Sequence, residues 1–313
     1  MLHYDSSQTS AALPFPELVV AVEKLFAQGC EVPLRHNHAI IDAQNNKIGT
    51  LLLMPAWQPE RWLGVKTVSI FPQNARHNLP GLHSVYILYS AATGKPAAIF
   101  DGDSITSRRT AAASASAARF LSRKDSKTLL IVGAGRVAEL LPDAYLSVRP
   151  IERFIIWNQT QDKAESLAVR LRDRGLQAEA ATDLASAVKQ SDIVSCATLS
   201  TAPLILREWL QAGTHLDLIG GFAPDMRETD DACFADTSVF VDTEEALMKA
   251  GDLLSPIAAG VFAPERVRAT LSDLCRLQHK GREHTEEITV FKSVGSALED
   301  LAAAVLAYEH LNS

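Results

Sequence analysis

The segment Thr128–Leu140 (TLLIVGAGRVAEL) sets the strongest limit on how this chain can fold. A short β-rich apolar run stops at Gly133, and after a second glycine a helix-like pattern begins. The spacing is G-x-G-x-x-A: Gly133 permits a tight turn, Gly135 lets the backbone approach a pyrophosphate, and Ala138 lets the helix pack closely on its strand. Free amides at the start of that helix then face an anion. On this reading Gly133, Ala134, Gly135, Arg136 and Val137 are the expected pyrophosphate contacts. Glycine after a strand also marks ordinary turns, so the neighbouring segments decide.

From Thr128 onward strand-like and helix-like segments alternate at βαβ spacing. Strands are expected at Thr128–Val132, Phe154–Trp157, Ala178–Ala181, Ile193–Ala197, His215–Ile219 and Val239–Val241. Helices are expected at Asp162–Arg174 and at Leu184–Lys189, the latter capped by Asp183. Pro142 falls inside the helix after the glycine turn, which predicts a kink or a late helix start. The first half differs. A helix at Glu17–Ala27 precedes strands at Ala39–Ile41, Thr50–Met54, Leu63–Phe71 and Val85–Tyr89, joined by Gly, Asn and Pro turns. The small-residue run Thr110–Leu121 reads as a linking helix, and Ser296–Tyr308 as a last helix able to return to the first domain. The fold class is α/β: a Rossmann dinucleotide-binding domain plus a smaller α+β domain.

Length and charge agree with two domains and a small-molecule substrate. The chain has 313 residues, 47% hydrophobic and 21% charged, with a net charge of -7. It has no block of Lys and Arg suited to phosphate neutralisation, which argues against nucleic acid as a partner. No apolar run reaches the length of about 18 residues that a membrane span needs. The N-terminus lacks a secretory pattern, and Cys30, Cys196, Cys233 and Cys275 are widely spaced, so a cytoplasmic setting is expected. No His, Cys and carboxylate spacing resembles a metal site, and His284-Thr285-Glu286-Glu287 lacks the second histidine of a zinc helix.

The end of the second Rossmann strand reports on the cofactor, because an acid there accepts from the adenosine ribose and repels a 2′-phosphate. Here it reads Ile155-Ile156-Trp157-Asn158-Gln159-Thr160, without a carboxylate. Asn158, Gln159 and Thr160 are all able to donate to a phosphate, which favours NADP(H), with NAD(H) as the alternative since no positive charge is present. Thr198 and Ile219, after the fourth strand and at the end of the fifth, complete the expected cofactor contacts.

Several longer motifs occur in order: LLMPAW (52–57), GVKTVSIFPQN (64–74), TGKPAAIFDGDSITSRRTAAASASA (93–117), VGAGRVAE (132–139), FAPDMRETDD (222–231) and ITVFKSVGSALEDLAAA (288–304). Through them the chain resembles the ornithine cyclodeaminase and mu-crystallin family from about Arg35 to the C-terminus. The resemblance implies nicotinamide chemistry on a small carboxylate-bearing amino or imino acid. It also implies a homodimer whose substrate and dimerisation domain, 1–117 completed by the helix at 293–313, accompanies a Rossmann domain at 118–292. Carried over by motif, Arg35, Lys66 and Arg109 form the expected cationic cluster for substrate, with Arg109 also a candidate for the cofactor phosphates. A carboxylate substrate needs such a desolvated clamp, best made by arginine. His83 matches a histidine beside the nicotinamide in the mu-crystallin branch and is a candidate proton relay.

Departures from the family pattern bear on the reaction. Cyclodeaminases that turn ornithine into proline carry a glutamate ahead of the Met-Pro, where this chain has Leu52. They also carry an aspartate in the turn after strand five, where it has Phe222. Moving amine protons in cyclodeamination suits a placed carboxylate, which Leu and Phe do not supply. The segments Pro224–Glu228, Gly251–Leu254 and Thr289–Ser293 are closer to the mu-crystallin branch, known for ketimine reduction. The expected activity is therefore NAD(P)H-dependent reduction of a small imino acid such as pyrroline- or piperideine-2-carboxylate. The alternatives are ornithine cyclodeaminase, an amino-acid dehydrogenase using a 2-oxo acid and ammonia, and a non-catalytic protein that keeps the cofactor site.

Overall fold

A computed structural model describes residues 1–312. Two compact units divide the chain, one holding residues 1–109 with the C-terminal segment from 296, the other residues 110–295. The divisions fall inside a long helix and just ahead of the last one, where the sequence motifs suggested 117 and 293.

The first unit is built on a six-stranded sheet. Its strands are β1 (Leu2–Tyr4), β2 (His36–Ile41), β3 (Lys47–Trp57), β4 (Trp62–Ile70), β5 (Leu82–Ser90) and β6 (Pro96–Asp101), in the order β1-β6-β5-β4-β3-β2. β2 to β6 form an antiparallel meander, and β1 joins parallel to β6. β1 and β6 were not expected from sequence, being short or flanked by Pro96. Alternation sorts the sheet into two faces. Along β4, Gly64, Lys66 and Val68 are buried while Val65 and Thr67 are only partly so. Helix α1 (Ser6–Ala11) is followed by α2 (Phe15–Gln28), which buries Leu18, Val19, Val22, Leu25 and Phe26, and the C-terminal helix (Ala297–Leu311) packs against α2, β3 and β4.

The second unit is an eight-stranded, wholly parallel sheet. Its strands are β7 (Thr128–Val132), β8 (Arg153–Trp157), β9 (Ala178–Ala180), β10 (Ile193–Cys196), β11 (His215–Leu218), β12 (Ser238–Val241), β13 (Val267–Thr270) and β14 (Thr289–Lys292). The order β9-β8-β7-β10-β11-β14-β12-β13 contains the Rossmann pattern. The fifth and sixth expected strands are not neighbours: β14, unforeseen as a strand, lies between them. The chain reverses direction across the sheet between β7 and β10, so their C-terminal ends frame the crevice where such sheets take ligands.

Helix α3 (Gly102–Leu121) runs into this unit and is buried on most sides by its small residues, Ala111, Ala112, Ala113, Ala115, Ala117 and Ala118 among them. Ser114 of α3, Ser195 of β10 and Tyr145 all donate to the buried carboxyl of Asp217 on β11, at 3.1, 2.5 and 2.9 Å. Helix α4 (Arg136–Leu146), which carries Tyr145, begins at once after the glycine turn and runs through Pro142, so the expected late start does not occur. Asp183 caps α6 (Leu184–Lys189), which follows α5 (Gln161–Asp173).

Candidate active site

In the first unit Lys66 and Arg109 converge on one carboxylate. Lys66 Nζ lies 2.7 Å from Asp300 Oδ2, Arg109 Nε donates to Asp300 Oδ1 at 2.8 Å, and Arg109 Nη1 donates to Glu299 Oε2 at 2.6 Å. All four side chains are buried. The C-terminal helix explains why the two acids sit there. Ser296 caps it and Glu299, in its first turn, accepts from the Ser296 amide through Oε1 at 3.3 Å, leaving Oε2 for Arg109. Asp300 follows one residue later, where the positive end of the helix dipole favours a carboxylate.

This cluster is not closed. Among the described residues the Lys66 ammonium has one ionic partner, Asp300, and the Arg109 hydrogen bonds to the two acids run through Nε and Nη1. Burial pulls the Lys66 ammonium down to about 8, against the opposing pull of Asp300. Burial also works against the Arg109 guanidinium, but Asp300 and Glu299 more than offset it and keep it charged. The two cations in turn overcome burial at Asp300 and hold its carboxyl below the usual range. Tyr86, opposite Lys66 on β5, buries its hydroxyl without a hydrogen-bond partner among the described residues, and burial followed by the Asp300 charge keeps it protonated.

The other expected residues of this unit fall differently. Arg35 immediately precedes β2, half-buried, one step beyond the pair His36–Leu53 and so level with Met54, whose β4 partner is Lys66. Leu52 pairs with Val68 and therefore shares the buried face with Lys66. His83 pairs with Ser69, three residues from Lys66, and so emerges on the opposite face, exposed. The sheet register does not bring His83 to the cluster. Sequence reasoning placed the cations but not Asp300, Glu299 or Tyr86; the S-x-x-E capping box was the available signal for the acids.

In the second unit the glycine turn has the shape expected of a pyrophosphate cradle. Gly133 adopts φ +120, and a Cβ there would lie 2.7 Å from the Ala197 carbonyl, so only glycine fits against β10. Gly135 caps α4 with extended backbone, and a Cβ there would meet nothing within 4 Å. The space in front of the α4 amides is open, Gly135 and Arg136 are exposed, Ala134 and Val137 are half-buried, and Ala138 is fully buried against the strand. These residues fit a dinucleotide phosphate on their own geometry. Beyond β8, Asn158 Nδ2 donates to the Thr160 carbonyl at 3.0 Å, while Gln159 and Thr160 are exposed. Thr198 follows β10 beside Gly133, and Ile219 follows β11.

The model of the ornithine cyclodeaminase/mu-crystallin family matches residues 9–313. The chain belongs to this family. Within it, the Delta(1)-pyrroline-2-carboxylate reductase of Paracoccus denitrificans is 40% identical over 279 residues, covering 87% of this chain and 88% of the relative. The enzyme of the same name from Colwellia psychrerythraea is 36% identical over 313 residues, 98% of each chain. The structure of Thermococcus litoralis Delta(1)-pyrroline-2-carboxylate reductase in complex with NADH and L-proline superposes with a TM-score of 0.91 at 33% identity, covering 99% of this chain and 97% of that one.

Proposed function

We propose that this chain is a nicotinamide-dependent oxidoreductase that reduces the C=N bond of a small imino acid, a cyclic ketimine such as pyrroline-2-carboxylate or piperideine-2-carboxylate. The observation that carries the reading is the open charge cluster: Lys66 and Arg109 are buried and fixed by Asp300 and Glu299, yet each keeps donors for one more carboxylate. The relatives named above reduce a pyrroline carboxylate, and one binds NADH with L-proline, a cyclic amino acid with a single carboxylate.

The cofactor would be held by the backbone of Gly133–Val137 at the start of α4, with Asn158, Gln159, Thr160, Thr198 and Ile219 around it. When bound in reduced form it supplies the hydride that the imine carbon accepts. Lys66 and Arg109, aided by Arg35, anchor and orient the substrate carboxylate. Lys66 also holds a proton at Nζ near neutral pH, and a substrate that arrives as the iminium already carries the nitrogen proton. Leu52, on the face of Lys66, offers no base for a second amine, which favours reduction over cyclodeamination. His83, on the other face, has the weakest claim to a role.

Gln159 and Thr160 give donors and no acid, so NADPH is preferred modestly and NADH is accepted. The outer face of the first sheet carries Leu51, Leu53, Val65, Val85, Ile87 and Ile99 in register, all partly exposed, and is the proposed homodimer surface. No helix among the described residues is long and apolar enough to cross a membrane. A cytoplasmic setting fits the four free thiols.

Mixing the purified protein with NADPH or NADH and a panel of cyclic ketimines, and following nicotinamide absorbance, tests the reading. Oxidation with a ketimine carboxylate is expected. Proline and ammonia formed from ornithine without net nucleotide turnover would replace it with cyclodeamination. An absolute ammonia requirement with a linear 2-oxo acid would replace it with an amino-acid dehydrogenase.

A further inference from the structure

A second buried charge cluster, in the Rossmann unit, lies outside everything assigned so far. Glu228 is fully buried, and its Oε1 accepts from both the amide and the hydroxyl of Thr198, at 2.8 and 2.7 Å. Thr198 in turn stands against the nucleotide turn: its Cγ2 would be 3.5 Å from a Cβ at Gly133, and the carbonyl before it blocks that position. On its other side Glu228 meets the glycine corner after β11, where a Cβ at Gly220 would overlap Glu228 Oε1 and the Thr198 carbonyl. The corner is fixed from beneath. Asp252 Oδ1 accepts from the amides of Glu228 and Thr229, at 2.8 and 3.1 Å. Lys292, at the end of β14, donates to Asp252 Oδ2 at 3.2 Å, to the Leu218 carbonyl at 3.2 Å and to the Gly220 carbonyl.

We propose that Glu228 is a positioning residue for the nicotinamide cofactor: it clamps Thr198 between the Gly133 turn and the Gly220 corner, and so sets the shape of the crevice at the ends of β7, β10 and β11. The inference rests on the cofactor site proposed above. Three observations favour positioning over simple core packing. The clamp joins two segments that each border the crevice. Glu228 spends one oxygen on Thr198 alone, and leaves Oε2 buried without a hydrogen-bond partner among the described residues, a cost that a purely structural contact would avoid with an apolar side chain. Burial and the nearby Asp252 push its carboxyl up to about 7 despite the attraction of Lys292.

The test is direct titration of NADPH and NADH against wild type, Glu228→Ala, Glu228→Gln and Thr198→Val, read by protein fluorescence, with the imine KM measured alongside. Glu228→Ala is expected to weaken nucleotide binding about tenfold, the scale of two lost hydrogen bonds to a buried carboxyl, while the imine KM moves less than about twofold. Glu228→Gln keeps the Oε1 acceptor and is expected to bind within about threefold of wild type. Thr198→Val keeps only the amide bond and should fall between. Unchanged nucleotide binding in Glu228→Ala overturns the proposal, and so does a rise in imine KM with nucleotide binding intact. If Glu228→Ala does not fold, Glu228→Met, which keeps the volume, leaves Thr198 intact and removes the acceptor, decides: binding equal to wild type overturns the clamp, and weakened binding supports it. A wild-type protein that binds neither nucleotide overturns the cofactor reading itself, and the clamp with it.

Discussion

The two units each bury a cluster of charged groups, and the clusters are built on opposite terms. In the first, Lys66 and Arg109 face Asp300 and Glu299 and, among the described residues, still hold N–H groups for another acceptor. In the second, the single ammonium of Lys292 has three N–H groups and three acceptors: Asp252 and the carbonyls of Leu218 and Gly220. Burying charge is costly, and full satisfaction is the way to make it architecture. The fully committed Lys292 ammonium therefore reads as a brace for the strand ends beneath Glu228, and the open cluster of the first unit as a place for an anion from outside.

Four substitutions or titrations break or sharpen that contrast. Lys66→Met removes the open ammonium at similar volume, and kcat/KM for the imino acid should fall about a thousandfold, with nucleotide titration unchanged. A loss confined to nucleotide binding would remove Lys66 from the substrate anchor. Lys292→Met strikes the closed cluster, and denaturant unfolding should show a loss of about 3–5 kcal/mol with the imine KM of the folded protein unchanged. A changed imine KM without lost stability would erase the distinction between the clusters.

The pH profile comes next in size. Burial lowers Lys66 to about 8, so the ammonium that binds substrate is present below that pH and lost above it. Above about pH 8, kcat/KM should fall roughly tenfold per unit. Stability should not follow. Because the folded chain releases this proton earlier than the unfolded chain, the unfolded state binds more protons above about pH 8, and the Lys66 contribution to stability rises there. A calorimetric melt across the same range separates the two. The smallest effect is expected from Gly135→Ala: the new methyl meets nothing in the folded protein, so Tm should move by no more than about 2 °C while the cofactor KM rises about five- to tenfold.

What the sequence made legible was local. Glycines 133 and 135, the Asp183 cap and the runs that became β7, β8 and β10 announce themselves because each is decided by neighbouring residues. What escaped was decided at a distance. β14 is four residues, Thr289–Lys292, given strand form by insertion between β11 and β12. Asp300 and Glu299 sit in a largely apolar helix whose first turn had no visible reason to meet Lys66, more than 230 positions earlier, until the helix returned to the first unit. His83 fails by parity: its register partner Ser69 lies three positions from Lys66, an odd offset, and that puts it on the other side of the sheet. Pro142 did not delay its helix, whose first turns form around it.

The central claim is that the open cluster of the first unit anchors the carboxylate of an imine undergoing reduction. The most direct test compares pyrroline-2-carboxylate with unsubstituted pyrroline as substrates for NADPH oxidation, in wild type and in Lys66→Met. The account predicts a preference of about a thousandfold or more for the carboxylate in wild type, largely abolished in the variant. Equal rates with the two imines, or a preference that survives in Lys66→Met, would contradict it.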